Sequence, residues 1–171
     1  MQNKKRPALR VAQLAVLVAL AMALSFVERM IPLPVVFPGV KLGLANLAVL
    51  IPLYLMGWRE ALLISVVRVL LIGELWGSGF SIAYALSGAI CSFSMMAIIK
   101  RYAKLHVVTV SIIGGLAHNL AQLAVAMTLV GREEFLYYLP IVCISGIISG
   151  ALIGFIANLL IIRLKQSRLF M

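Results

Sequence analysis

The chain has 171 residues, 64% of them hydrophobic, and a mean hydropathy of +1.13. A soluble domain is closer to half apolar, and no soluble fold of this length hides so much apolar surface, so lipid is the expected solvent. Fifteen Lys and Arg against five acids give a net charge of +10; because these bases sit mainly in short loops and tails, the expected partner is a lipid bilayer and no nucleic acid.

The expectation is an all-α polytopic membrane protein. It places six transmembrane helices in a single domain over residues 1–171, with a basic N-terminal tail at 1–10 and a C-terminal tail at 163–171. The opening MQNKKRPALR superficially resembles a secretion signal, but no clear small-residue cleavage site follows, so the first apolar segment, 11–30, is expected to be retained. On it Ala15, Ala19 and Ala23 recur every four residues. Such a small-residue stripe serves either internal packing or the docking of another membrane subunit, because lipid gives helices no hydrophobic reason to associate.

The stretch IPLPVVFPGVK, 31–41, holds three prolines and a glycine and cannot be helical throughout. Segments two (42–56) and three (58–72) fall short of the ~20 residues a straight span needs, so they are expected to kink, at Pro52 for instance, or to be sheltered by neighbours. Their connection, Met56-Gly57-Trp58-Arg59, allows only a tight helical hairpin. Lys41 and Asn46 flank the proline loop, where helix-start amides are positioned to receive an anion.

Segment three carries Arg68 inside the run LLISVVRVLLIGEL, four or five residues from its expected end. A charge at that depth costs at least ~2.5–3.5 kcal/mol. Two readings compete. The guanidinium either snorkels to the headgroups or pairs with Glu74 or Glu28, or it forks onto a phosphate or carboxylate of a bound ligand.

Segment four, 80–99, follows the glycine-rich GELWGSGF. Trp76, Phe80 and Tyr84, with Tyr137 and Tyr138 further on, suit an interfacial aromatic belt or stacking on a planar ligand. Segment five, 107–130, contains GGLAHNLAQLA. His118 and Gln122 are four apart and share a face, and Asn119 flanks it, a pattern that favours a cavity lining. No metal site is expected, since His106 lies near the other interface and no Cys/His/Asp cluster exists. Cys91 and Cys143 both fall in apolar runs and form no C-x-x-C. In segment six, 139–162, Gly146, Gly150, Gly154 and Asn158 form a stripe expected to pack internally. Were it instead a dimer interface, it would suit a self-sufficient homodimeric carrier.

Six spans put both termini on one side, together with eleven bases; the other side carries Arg29, Lys41 and Arg132 and four of the five glutamates. The positive-inside rule then places both termini in the cytoplasm and the protein in the cytoplasmic (inner) membrane of the cell. The three loops on the far side, rich in proline, glycine and aromatics, are the expected working face.

Six short helices, the proline-glycine loop, PGVKLGLANLAVLIPLYLMG leading into a hairpin and the alanine stripe together resemble the substrate-binding S components of energy-coupling factor (ECF) transporters. More narrowly, FPGVKLGLAN and GGLAHNLAQL resemble the membrane family called heptaprenyl diphosphate synthase component I, or the Gx transporter family. The resemblance implies a small vitamin-like ligand bound from outside under the loop 31–41. It implies that the helix bearing Ala15, Ala19 and Ala23 meets a transmembrane coupling subunit, and that separate ATPase subunits hydrolyse ATP. LGLAN here departs from the LGN common in vitamin-binding S components. The chain has no G-x-x-x-x-G-K-[ST] and is expected to carry no cofactor of its own. Prenyl diphosphate synthases typically hold magnesium with aspartate-rich motifs, and this chain has no aspartate, so no catalytic residue and no enzyme activity are expected. The candidate ligand-binding residues are Arg68, His118, Asn119, Gln122, Asn46 and Lys41. The rival expectation is a non-catalytic membrane companion that recruits a soluble prenyl diphosphate synthase through the basic loop Lys100-Arg101-Tyr102-Ala103-Lys104.

Overall fold

The structure is a computed structural model and describes residues 7–31, 43–131 and 133–167. These residues are almost entirely helical. The helices are α1 (Pro7–Met30), α2 (Leu44–Leu55), α3 (Trp58–Trp76), α4 (Gly79–Tyr102), α5 (Val107–Val130) and α6 (Leu139–Gln166), with a 3-10 turn at Glu133–Tyr138 before α6.

The all-helical membrane class agrees with expectation, while the six expected spans are met only in part. Among the described residues, four helices are long and apolar enough to cross a membrane: α1, α4, α5 and α6. Twelve residues give α2 a length of only ~18 Å at 1.5 Å per residue, against a hydrocarbon core of ~30 Å. Nineteen residues make α3 long enough, but Arg59, Glu60, Arg68 and Glu74 break its apolar character.

The shortness of α2 follows from where it sits. A helix that is apolar on every side belongs in a core. Ala45, Leu47, Ala48, Val49, Leu50, Ile51, Pro52 and Leu53 are all buried, packed against α1, α3 and α6. Leu50, Leu53 and Ile153 anchor the main core, which reaches across to Phe93 and Met96 on α4 and Val110 on α5. A second cluster joins Leu17 and Ala21 of α1 to Ala48 and Ile64. Neighbours therefore shelter α2, the second of the two outcomes expected for a short segment.

The hairpin between α2 and α3 turns at Gly57, whose φ of +144° side chains rarely adopt. The amides of Met56 and Gly57 both bond to the carbonyl of Pro52, at 2.8 and 2.9 Å. Lys100 reaches from α4 to donate to the Leu53 carbonyl, and its ammonium lies 4.8 Å from the Tyr54 ring centroid. A cation at a helix C-terminus stabilises the otherwise unpaired carbonyls there. Arg10 and Glu60 pair at the same end of the bundle.

The glycine stripe of α6 faces α5. A Cβ on Gly150 would lie 2.7 Å from the Ile112 Cα, and one on Gly154 would lie 2.8 Å from the Val108 Cα. The reciprocal glycine on α5 is Gly115, where a Cβ would come within 2.5 Å of the Gly146 carbonyl oxygen. The stripe is internal packing, which removes the surface a homodimer would use. The alanine stripe is the opposite case. Ala15, Ala19 and Ala23 are all exposed, while Leu17 and Ala21 turn inward.

Candidate functional site

At the end of the bundle away from the chain termini, a cavity of about 360 Å³ opens between α1, α2, α3, α4, α5 and α6. Its walls hold Arg68, His118, Asn119, Gln122 and Asn46, five of the six candidates read from the sequence. The sixth, Lys41, lies outside the described residues, as does nearly all of the proline loop. Ile31 and Gly43, the described residues on either side of it, both line the cavity.

Arg68 sits deeper than the sequence indicated. The segment expected to stop at residue 72 continues to Trp76, so Arg68 has eight residues of helix beyond it, more than two turns. The loop that follows shrinks to Gly77 and Ser78, and a reciprocal cap starts α4: the Ser81 amide donates to the Ser78 hydroxyl, and the Ser78 amide to the Ser81 hydroxyl. Arg68 is 9% exposed. One guanidinium nitrogen donates to the Ser25 hydroxyl at 3.4 Å, and Nε has no hydrogen-bond partner among the described residues. The side chain does not snorkel.

Of the two carboxylates weighed as structural partners, Glu74 is exposed and does not line the cavity. Glu28 does line it and acts on Arg68 through space, without forming an ion pair of contact distance with it. One oxygen of Glu28 instead accepts the Gly43 amide at 2.5 Å. Gly43 has φ +72°, a left-handed turn that favours glycine, and it starts α2. Arg29 donates to the Trp76 carbonyl at 2.9 Å and ties the end of α1 to the end of α3.

On α5, His118 and Gln122 lie against the bare backbone of Gly88 on α4; a Cβ there would be 2.9 Å from His118 Cε1 and 2.8 Å from Gln122 Cγ. Gln122 is 2% exposed, and its Oε1 has no partner among the described residues. Asn119 is turned about 100° from His118 around the helix and does different work. Its amide donates to the Val142 carbonyl at 3.1 Å and to the Ser145 hydroxyl at 3.0 Å, fastening α5 to α6. The Asn119→Ala variant is therefore expected to lower stability by about 1–3 kcal/mol, from loss of buried hydrogen bonds. Thermal unfolding in detergent checks this.

The sequence reading missed several wall residues. Ser25, Glu28 and Arg29 come from one end of α1, Ser81 from α4 and Ser149 from α6. The only signal for the α1 set was its spacing, three and four residues apart, which puts the side chains on one face. Among the aromatics, Trp76 lines the cavity and packs on Phe26 with centroids 5.7 Å apart, while Phe80 and Tyr84 stack at 6.2 Å. Tyr137 is 84% exposed, as an interfacial residue is. Among the described residues no three His, Cys, Asp or Glu side chains converge as a metal site does.

The arrangement is a chamber with largely apolar walls inside an apolar bundle, with a buried cation and a buried carboxamide among a few polar groups on them. It has the size range of small-molecule sites. No curated protein and no solved structure matches the chain. One family model does, over residues 17–160, and on that match this membrane protein belongs to the family described as heptaprenyl diphosphate synthase component I.

Proposed function

We propose that the chain is the substrate-binding membrane subunit of an ECF-type transporter, taking up a small anionic molecule in the cavity around Arg68. The observation that carries this is Arg68 itself: a guanidinium 9% exposed, its Nε without a partner among the described residues, on the wall of a 360 Å³ chamber. A buried charge without a contact ion pair is costly, and an anionic ligand is the partner that offsets it. In this reading the cavity opens to the outside and the termini lie in the cytoplasm. Ala15, Ala19 and Ala23 meet a transmembrane coupling subunit, and partner ATPase subunits supply the energy. Their exposure supports such a docking face. The chain itself carries no catalysis.

A second reading draws on the family's name, in which the chain is a membrane companion of a prenyl diphosphate synthase. The basic segment Lys100-Arg101-Tyr102-Ala103-Lys104 would be its docking surface, with Arg101 to Lys104 exposed and Lys100 turned back to the Leu53 carbonyl. It leaves the chamber around Arg68 without a role.

Affinity purification of the tagged protein from its native membranes separates the two. The first reading expects co-purification of a coupling membrane subunit and ATPases, lost in the Ala19→Phe variant while ligand binding persists. A prenyl synthase recovered equally with both forms, and no ATPase, would overturn it.

A further inference from the structure

Arg68 is not the only wall residue with unmet bonding capacity. Gln122 is the second, and it faces the same chamber from α5, while Arg68 faces it from α3; α4 packs against both helices. Its carboxamide is 2% exposed and its Oε1 lacks a partner among the described residues. A buried acceptor in that condition is unfavourable unless something bonds to it. Gly88 leaves no side chain between α4 and α5 at this level, so Gln122 lies pressed against α4 and its amide has a restricted direction.

A ligand that satisfies both walls has to be two-ended. One end is an acceptor anion for the guanidinium. The other matches a carboxamide, which offers an acceptor and a donor side by side, so its complement is an N–H beside a C=O. A hydroxyl satisfies only one half of that edge. An inorganic anion reaches Arg68 but leaves Gln122 unpaired, and it fills little of 360 Å³. A bare hydrocarbon chain leaves both the Arg68 Nε and the Gln122 Oε1 without a partner.

We propose that the ligand is an anion carrying a lactam or imide edge, its anionic group held by Arg68 and its N–H/C=O edge read by Gln122. This rests on the chamber being a ligand site, and it adds what the uncharged end of the ligand must be.

Two commercially simple probes carry both features: uridine 5′-monophosphate, an imide, and inosine 5′-monophosphate, a lactam. N3-methylation of the first and N1-methylation of the second block the edge and leave the phosphate. Binding is measured by isothermal titration to the full chain in lipid nanodiscs. At least one parent nucleotide is expected to bind, with its methylated form at least tenfold weaker. Gln122→Leu is expected to erase that difference, and Gly88→Ala, which displaces the same side chain from α4, to reduce it. Arg68→Gln should weaken parent and methylated forms alike. Equal binding of a parent and its methylated form overturns the edge while leaving the anion site standing, provided Arg68→Gln still weakens both. Binding of neither parent at millimolar concentration also overturns it. Binding indifferent to Arg68→Gln removes the anion site itself, and with it the reading on which the edge depends.

Discussion

Replacing Gly150 with leucine is expected to abolish the folded bundle. The new Cβ alone would sit 2.7 Å from both the Ile112 Cα and the Ser111 carbonyl oxygen, atoms of the α5 backbone that cannot step aside as a side-chain end does. Overpacking of ordinary cores costs ~1–3 kcal/mol; with backbone as the obstacle and three further carbons to place, the cost is expected to exceed that range. The α5–α6 pair is the most extensive helix contact in the bundle, so its loss also removes the support behind His118 and Gln122. Gly79→Ala is the control, because a Cβ there meets nothing within 4 Å, and its effect is expected to stay within about 1 kcal/mol. Gel filtration and circular dichroism in detergent check both: Gly150→Leu should aggregate or melt far below the parent, and Gly79→Ala should not.

The second large effect is expected at Arg68, and it is of the opposite kind. Arg68→Met keeps a long unbranched side chain and removes a charge that is 9% exposed and lacks a contact ion pair. If the guanidinium were a structural partner of Glu28, its removal would strand a buried carboxylate and cost about 3–5 kcal/mol. Glu28 already accepts the Gly43 amide, so the expected change in melting temperature is small or upward. Binding of an anionic ligand should instead fall by about 2–5 kcal/mol, roughly thirtyfold or more. A destabilised variant that still binds would reverse the assignment and make Arg68 a structural residue.

Much of this was legible in the sequence because membrane helices advertise themselves by composition. The segment boundaries read from hydropathy agree closely for α5 and the α2–α3 hairpin and for the end of α1, whose helix starts four residues earlier, at Pro7. Arg68, His118 and Gln122 were legible for the converse reason: a polar side chain at membrane depth needs a partner or a cavity, and the helical period put two of them on one face. The end of α3 was obscured by Gly73 and Glu74, which read as loop. In the structure Gly73 lies where α3 meets α4, and a Cβ there would be 2.2 Å from Ile82 Cγ1. That glycine permits close packing and does not end the helix. The central place of α2 was hidden too, since an apolar run carries no mark of whether lipid or protein surrounds it. Asn119 and Gln122 look alike in the sequence and both reach the chamber wall; only the structure shows that Asn119 also fastens α5 to α6 while the Gln122 Oε1 has no partner among the described residues.

The central claim is that Arg68 holds an anionic ligand. Native mass spectrometry of the protein ejected from its own membranes, beside the Arg68→Met variant prepared identically, tests it most directly. The account predicts a bound small molecule on the parent, acidic by its fragmentation, and its absence from the variant at equal protein recovery. The same adduct on both proteins, or a neutral lipid alone on the parent, would contradict it.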